Sequence, residues 1–271
     1  MIKAIVAGCA GRMSGRIINL IHQTEDMTLA AGFERPDHPS VGKDVGEVVG
    51  LGKLGIEVAK DLRHIILKGD VTIDFTYHVA SLNHLRIAAE YGKPIVIGTT
   101  GFTKEEMEEV TGLSKKTACV LTPNMSIGVN LVFKMVEEIA AILGQDYDVE
   151  ILEAHHRFKK DSPSGTALKL AHILAKTLNR DLDQVAVYGR KGMIGERKDE
   201  EIGIQALRAG DIVGEHTVLF GGIGERIEFT HRAHSRDCFA KGALRAARWI
   251  LNQKNGLYDM QDVLGLKVSR A

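Results

Sequence analysis

Short apolar runs alternate with helical patterns from residue 2 to residue 121, and this alternation restricts the fold more than any other feature. The first run shows no alternation of polar and apolar residues, which is typical of a strand buried on both faces. Alternating strands and helices predict a parallel sheet with right-handed crossovers. The predicted strands are residues 2–7, 29–33, 71–75, 94–97 and 118–121.

The segments between these strands differ in character. Residues 79–91 have helical spacing, and Thr103 with Glu106 forms a capping box that opens the next predicted helix. Residues 36–55 are rich in Gly, Asp and Val and are predicted to form a loop with at most one weak strand.

A glycine-rich turn follows the first strand and leads into a helical pattern. Its spacing, Gly-x-x-Gly-x-x-Ser-Gly, is weaker evidence than Gly-x-Gly-x-x-Gly, and an ordinary tight turn would also explain it. The strand–turn–helix context favours a pyrophosphate site, because small residues and a helix N-terminus bring backbone N–H groups to an anion. The turn consists of Gly8, Cys9, Ala10, Gly11, Arg12, Met13, Ser14 and Gly15.

Glu34 and Arg35 stand directly after the second predicted strand. An acid near this place binds the adenosine ribose in dinucleotide-binding folds, and an arginine beside it could meet a ribose 2′-phosphate. A solvated loop is the alternative explanation, but the position after a βαβ unit favours nucleotide binding.

Small and polar residues follow the other predicted strands of the first half. Ligands bind at the carboxyl ends of parallel strands, so these residues together outline one crevice, although each alone could be a loop or cap residue. They are Thr76, Gly98, Thr99, Thr100, Thr122, Pro123, Asn124 and Met125.

The pattern changes after Ser126. Alternating strands and separate helices predict an antiparallel or mixed sheet, and hence an α+β domain. We expect a dinucleotide-binding domain at residues 1–126, to which residues 235–271 return, and a second, substrate-binding domain at residues 127–234. The predicted helices are residues 131–143, 167–178 and 240–251, and the strands are residues 147–155, 202–208, 215–220 and 226–231.

The densest chemistry lies at residues 153–167, which read EAHHRFKKDSPSGTA between a strand end and a helix start. His155 and His156 would point to opposite sides of a strand, which argues against one shared metal ion. A histidine is the usual proton donor near neutral pH. The stretch therefore predicts a site for a small anion, with one histidine available for proton transfer.

The rest of this stretch also suits an anion. Lys159 and Lys160 could be a solvated surface pair, but they precede a turn whose Gly165 and Thr166 would open a helix and offer N–H groups to a carboxylate. Asp161 could pair with a neighbouring cation and hold the loop in shape.

Composition excludes several classes of protein. The 271 residues include 35 basic and 35 acidic ones, so no global charge points to nucleic acid or a membrane. Cys9, Cys119 and Cys238 are far apart, which fits a reducing compartment and no disulfide framework. Without a signal-peptide pattern or a long apolar span, we expect a cytoplasmic protein.

The central stretch resembles the signature of the dihydrodipicolinate reductase family, also called 4-hydroxy-tetrahydrodipicolinate reductases. The resemblance extends along nearly the whole chain, through GCAGRM, Glu34-Arg35, GTTGF, PNMSIGVN, RAGDIVGEHTVLF and GLYDMQDVL. It implies a Rossmann-type domain plus an α+β substrate-binding and oligomerisation domain at residues 127–234, whose sheet would assemble a homotetramer.

The resemblance also implies the reaction and the roles of individual residues. NADH or NADPH would reduce a cyclic dicarboxylate at C4, with loss of water, to tetrahydrodipicolinate in diaminopimelate and lysine biosynthesis. Glu34 would hold the adenosine ribose and Arg35 would favour the phosphorylated cofactor. The other cofactor contacts would be residues 8–13, 98–100 and 122–125. His155 and Lys159 match the catalytic residues, and His156, Gly165 and Thr166 match the substrate contacts.

Two positions depart from the family pattern. Ser14 stands where a third glycine is common, and Tyr77-His78 replaces part of a Thr-x-Pro motif. Three other functions stay open. The chain could be another NAD(P)-dependent dehydrogenase acting on an amino acid or semialdehyde, a non-catalytic nucleotide sensor, or a metal hydrolase using His155 and His156.

Overall fold

The computed structural model describes residues 1–267, and the chain divides into two compact units. One unit comprises Met1–Ile127 and the described residues from Asp237 onward, and the other is Gly128–Arg236. Each unit has its own sheet.

Helices and strands alternate through most of the chain. The first unit begins with β1 Ile2–Ala7, α1 Arg12–His22, β2 Met27–Phe33, α2 Val45–Val49, β3 Val58–Ala59, β4 Val71–Asp74, α3 His78–Tyr91, β5 Ile95–Ile97, α4 Lys104–Ser114 and β6 Ala118–Leu121. Then follow α5 Ile127–Leu143, β7 Asp148–His155, α6 Gly165–Thr177, α7 Leu182–Val185, β8 Ala186–Tyr188, β9 Ile202–Arg208, β10 Gly214–Gly222 and β11 Glu225–Ala233. The first unit is completed by α8 Asp237–Ile250, β12 Gly256–Tyr258 and α9 Met260–Val263.

In the described part of the first unit, seven strands form a parallel sheet in the order β12-β6-β5-β4-β1-β2-β3. This is a doubly wound, Rossmann-type order, with the reversal between β1 and β4. The prediction of a Rossmann-type parallel sheet is confirmed. In β1, Ala4 and Val6 join one apolar core and Ile5 and Ala7 join another, so the strand is buried on both faces.

The prediction of a loop at residues 36–55 was wrong in part, because this segment contains α2 and no strand. Asp44 is the reason: one oxygen of its carboxylate accepts from Gly46, Glu47 and Leu54 N–H groups, and the other accepts from Gly55 and Ile56. Caps of this kind stabilise a short helix that weak propensity alone would leave unformed. The weak strand lies just beyond the predicted range, at β3.

The described residues of the second unit form a five-stranded sheet in the order β11-β10-β7-β9-β8. Its pairs are antiparallel on one side of β7 and parallel on the other, so the predicted sheet is of the mixed kind. One face packs against α5 and α6 through an apolar core. The opposite face leaves apolar side chains accessible, among them Leu152 and Leu207.

Within residues 1–267, no helix combines the length and apolar character needed to cross a lipid bilayer. The last four residues of the tail predicted to return to the first domain, 268–271, lie outside the described part of the chain.

Candidate active site

Glycine at two positions shapes the turn after β1. Gly8 has a φ of +57°, and a Cβ on it would lie 2.8 Å from the Thr76 methyl group. A Cβ on Gly11 would lie 3.0 Å from the Gly8 carbonyl oxygen. Gly11 is also the N-cap of α1 and has no side chain to cap the helix. The turn therefore leaves backbone N–H groups and open space where a pyrophosphate would fit.

Glu34 reaches from the end of β2 back to this turn. Its Oε1 accepts a hydrogen bond from the Ala10 N–H at 3.0 Å. Burial, followed by the nearby charge of Glu34, raises the pKa of the Cys9 thiol to about 12. The thiol is therefore unreactive at neutral pH, and only the backbone of Cys9 is available to a ligand. The carboxylate of Glu34 is the polar side chain that would meet a ribose at this edge.

The other charged residues of the turn are exposed. Arg35 lies 3.1 Å from Asp37, measured from Nε to Oδ1, and both side chains are mostly in solvent. Arg12 is exposed at the start of α1, whereas Met13 packs against the core. Ser14 is buried and donates its hydroxyl to the Ala7 carbonyl oxygen at 2.8 Å. The serine in the place of a third glycine thus ties α1 directly to β1.

A chain of hydroxyl groups runs along the same edge of the sheet. Asp74, at the end of β4, accepts the Thr76 hydroxyl at 2.6 Å and binds His84 Nδ1 at 2.6 Å. Thr76 contacts the Ser81 hydroxyl at 3.2 Å, and Ser81 contacts the Thr99 hydroxyl at 2.8 Å. Because Thr76 donates to Asp74, Ser81 must donate to Thr76 and Thr99 to Ser81. The Thr99 oxygen is left as an acceptor.

The remaining predicted cofactor residues contribute mostly backbone. A Cβ on Gly98 would lie 2.2 Å from the Phe75 ring, so glycine is required there. Thr122 is buried and donates to the Asn124 carbonyl oxygen, and Met125 is buried in the core. Exposed side chains at this edge belong to Thr100 and Pro123.

In the second unit, β7 carries the site. Its burial alternates, so that Glu153 and His155 share the face that packs against helices. Glu153 Oε2 lies 2.6 Å from His155 Nδ1. Since Glu153 is a carboxylate, the imidazole donates from Nδ1, and its Nε2 is left for other partners.

Neighbouring strands complete this arrangement. Arg208 on β9 pairs in register with His155 and donates two hydrogen bonds of 2.8 Å to the Glu153 carboxylate. His216 on β10 pairs in register with Glu153, and its ring lies 5.1 Å from that of His155. Three strands thus place an acid, an arginine and two histidines in one layer.

The loop after β7 holds the predicted cations. Lys159 Nζ lies 2.8 and 2.9 Å from the two oxygens of Asp161, the pairing expected from the sequence. Lys160 is exposed. Ser164 caps α6 by accepting the Ala167 N–H at 3.2 Å, so the helix begins at Gly165, two residues earlier than predicted. The exposed start of α6 is therefore suited to bind a carboxylate.

His156 lies just beyond the end of β7, and its Nδ1 is buried without a partner in the described part of the chain. Residues 1–267 contain no group of three or more His, Cys, Asp or Glu side chains placed to hold a metal ion.

Burial and charge set the protonation of this site. Burial lowers the pKa of His155; Glu153 opposes that shift, and Lys159 and Arg208 add to it. Burial opposes ionisation of Glu153, but hydrogen bonds from Arg208, His155 and Ser164 outweigh it and lower its pKa. Burial also lowers the pKa of His216 to about 3. At neutral pH the site therefore contains an anionic Glu153 beside neutral His155 and His216.

Four residues of this layer had no predicted role: Glu153, Ser164, Arg208 and His216. The two-residue spacing of Glu153 and His155 on a strand was a usable signal, because such residues share a face. Arg208 and His216 could be found only once the strand register was known. Lys159 and the start of α6 lie on the same loop, as predicted.

Comparison with known proteins gives matches along the whole chain. The family model described as the N-terminus of dihydrodipicolinate reductase matches residues 2–125, and the model for its C-terminus matches residues 128–264. The 4-hydroxy-tetrahydrodipicolinate reductase of Syntrophus aciditrophicus is 58% identical over 98% of this chain and 100% of its own length. That of Syntrophobacter fumaroxidans is 54% identical with the same coverage.

Solved structures agree with these matches. A dipicolinate-bound dihydrodipicolinate reductase from Paenisporosarcina sp. TG-14 has a TM-score of 0.76 and 27% identity, over 97% of this chain and 98% of that one. An amine dehydrogenase from Mycobacterium smegmatis has a TM-score of 0.60 at 15% identity, covering 94% of both chains, and is similar in fold alone.

The parallel sheet with its glycine turn, together with the second mixed sheet, defines a nicotinamide-dependent oxidoreductase that uses NADH or NADPH. The chain belongs to the dihydrodipicolinate reductase family. The resemblance found in the sequence is thereby confirmed.

Proposed function

We propose that this enzyme reduces 4-hydroxy-tetrahydrodipicolinate to tetrahydrodipicolinate with loss of water, in diaminopimelate and lysine biosynthesis. The observation that carries the proposal is the layer of Glu153, His155 and Arg208 beside a cationic loop. This layer lies in a chain that matches the family in both units. A proton-exchanging histidine next to anion-binding groups is what a dicarboxylate substrate requires.

The first unit supplies the cofactor site in this proposal. Residues 8–13 cradle the pyrophosphate, and Glu34 binds the adenosine ribose. Arg35 is the cation that binds a 2′-phosphate, once its side chain has moved away from Asp37. Residues 98–100 and 122–125 line the nicotinamide side. When bound, the reduced cofactor supplies the hydride.

The second unit supplies the acid–base chemistry. His155 exchanges a proton through Nε2, because its Nδ1 faces Glu153. Lys159 is the second proton donor, and Asp161 holds its ammonium group in place. His156 and the N–H groups of Gly165 and Thr166 bind the substrate carboxylates. Overall the ring gains a hydride at C4 and a proton at C3 and loses one water.

We further assign the protein to the cytoplasm as a homotetramer. The support for assembly is the open face of the second sheet, where the Leu207 side chain is 57% exposed. An apolar sheet face of this kind is usually covered by another copy or another protein. We propose no nucleic acid or membrane partner, since a net charge of zero gives no overall attraction to either.

A spectrophotometric assay tests the activity. The substrate is generated in place from pyruvate and aspartate semialdehyde by its synthase, and oxidation of NADH or NADPH is followed. We expect oxidation only when the synthase and both of its substrates are present. If the protein oxidises the cofactor with amino acids or semialdehydes instead, it is a different dehydrogenase. If it binds the cofactor but shows no oxidation with any acid substrate, it is a non-catalytic nucleotide sensor.

A further inference from the structure

Glu153 is the most enclosed charged group of the second unit's site. Its exposed fraction is 1%, and its carboxylate has four contacts. Oε1 accepts from the Ser164 N–H at 3.0 Å and from Arg208 at 2.8 Å. Oε2 accepts from Arg208 at 2.8 Å and lies 2.6 Å from His155 Nδ1.

The arginine decides how this carboxylate acts on the histidine. A buried carboxylate needs a compensating charge, and a bidentate arginine supplies one. Glu153 therefore does not need a charged His155 as its counter-ion. It can instead accept the Nδ1 proton of a neutral imidazole, which leaves a lone pair on Nε2.

The same arginine and carboxylate also hold the loop. Arg208 donates to the Asp161 carbonyl oxygen at 2.8 Å, and Glu153 accepts from Ser164, the N-cap of α6. The histidine and the start of α6 are thus both bound to one carboxylate.

We propose that Glu153 is a positioning residue: held as an anion by Arg208, it keeps the His155 proton on Nδ1, presents Nε2 for proton exchange, and fixes the start of α6 relative to His155. The inference rests on the proposed function, in which His155 transfers a proton. Neither Glu153 nor Arg208 has to touch the substrate to do this.

Charged and titratable groups face His155 from every element packed around it. Glu153 lies on its own strand, Arg208 on β9, His216 on β10, and Lys159 on the following loop. Glu153 raises the pKa of His155, whereas Lys159 and Arg208 lower it. Removing Glu153 or Arg208 must therefore move the His155 titration in opposite directions.

The direct test is Glu153→Gln. Oε1 accepts from both Ser164 and Arg208, whereas Oε2 accepts from Arg208 alone, so the amide oxygen should occupy the Oε1 position and the NH₂ group the Oε2 position, facing His155. The imidazole then accepts at Nδ1 and carries its proton on Nε2. We expect kcat to fall about 100-fold, the lower part of the range for a positioned proton donor, while KM stays close to that of the wild type.

A matched control lies on the same strand. Glu150 also binds an arginine through two hydrogen bonds, to Arg190 at 2.8 and 2.9 Å, but it lies on the opposite face of β7. Glu150→Gln breaks a similar pair without touching His155. We expect it to leave kcat and its pH profile unchanged.

The histidine itself can be observed without any assay. Long-range ¹H–¹⁵N spectra of the wild type should show neutral His155 with its proton on Nδ1, and those of Glu153→Gln should show it on Nε2. In the titration, Glu153→Gln should lower the pKa of His155 and Arg208→Gln should raise it. The corresponding limb of the pH–rate profile should move the same way.

The outcomes separate the two claims. A wild type with its proton on Nε2, or variants that shift His155 in the same direction, would overturn the positioning role even if Glu153→Gln were too unstable to assay. An active wild type whose Glu153→Gln variant keeps the full rate would also overturn it and leave the proposed function intact. A wild type inactive with the dicarboxylate would instead remove the proposed function, whatever the spectra show.

Discussion

Each unit contains a buried carboxylate paired with a histidine, and the two pairs have nearly the same geometry. Asp74 lies 2.6 Å from His84 Nδ1 in the first unit, and Glu153 lies 2.6 Å from His155 Nδ1 in the second. Both acids are almost fully enclosed, with exposed fractions of 0% and 1%. Burial and distance alone would not tell which pair performs chemistry.

The third partner distinguishes them. Glu153 has a bidentate arginine, whereas the other contacts of Asp74 within residues 1–267 are the N–H and hydroxyl of Thr76. His84 packs its ring against Phe33 at 4.9 Å and is held on both sides. The bidentate arginine compensates Glu153 whatever the charge of His155, so His155 can exchange a proton. Among the described residues Asp74 has no such arginine and depends on His84 and Thr76 for its hydrogen bonds. The first pair is therefore structural and the second is suited to catalysis.

The largest expected effect comes from His155→Ala. If this pair is the catalytic one, kcat falls by about 10²- to 10⁴-fold, the contribution of a positioned acid or base. Arg208 still compensates Glu153, so the free energy of unfolding changes by only about 1 kcal/mol. Steady-state rates and urea denaturation check both parts. Near-full activity would remove His155 from the chemistry.

The reverse is expected for His84→Ala. This change leaves the buried Asp74 carboxylate without its hydrogen bond to His84, and the free energy of unfolding should fall by about 3 kcal/mol. Urea denaturation of His84→Ala and His155→Ala under one set of conditions compares the pairs directly. Equal decreases in the free energy of unfolding would show that Arg208 does not change how much the histidine contributes to stability.

The dependence of stability on pH also distinguishes the two carboxylate–histidine pairs, because His216 lies beside the second pair only. Its pKa falls from the usual 6.5 to about 3 because it is buried, so the unfolded chain binds a proton that the folded chain does not. Stability is therefore lost as pH falls from about 6.5 toward 3, by about 1.4 kcal/mol per pH unit. His216→Gln should remove this slope, as measured by denaturation at several pH values. An unchanged slope would contradict it.

The smallest effect is expected for Ser81→Ala. The change interrupts the hydroxyl chain from Asp74 to Thr99 without removing either end. Both contacts of the Ser81 hydroxyl are lost, but only the one to Thr99 orients a predicted cofactor residue. One buried hydrogen bond contributes about 1 kcal/mol, so the KM for the cofactor should rise several-fold while the His155 titration stays fixed. If instead the pH profile moved, the two pairs would not be independent.

Much of the fold could be predicted because apolar runs that alternate with helical patterns leave few choices. The five strands predicted for the first half are all present, and residues 202–208 form β9 as predicted. The strands that were missed, β8 and β12, have three residues each and lie at sheet edges. Pairing with β9 and β6 defines them, and no local pattern of the sequence encodes that pairing.

The site was predictable only where it is continuous in sequence. His155, Lys159 and Thr166 lie in one stretch, so residue type and spacing identified them as candidates. Arg208 and His216 join the same layer through the register of β9 and β10 with β7. Side chains brought together by strand pairing over long separations leave no local signal.

The order of the chain has a consequence for how the protein is made. The first sheet obtains its last strand, β12, and the helix α8 only from residues that follow the whole second unit. A ribosome releases the complete second unit before the segments that finish the first. Until β12 and α8 are made, the earlier strands of the first sheet lack a neighbour at one edge and the cover of α8 on one face. Chaperones are expected to bind the nascent chain mainly in this interval.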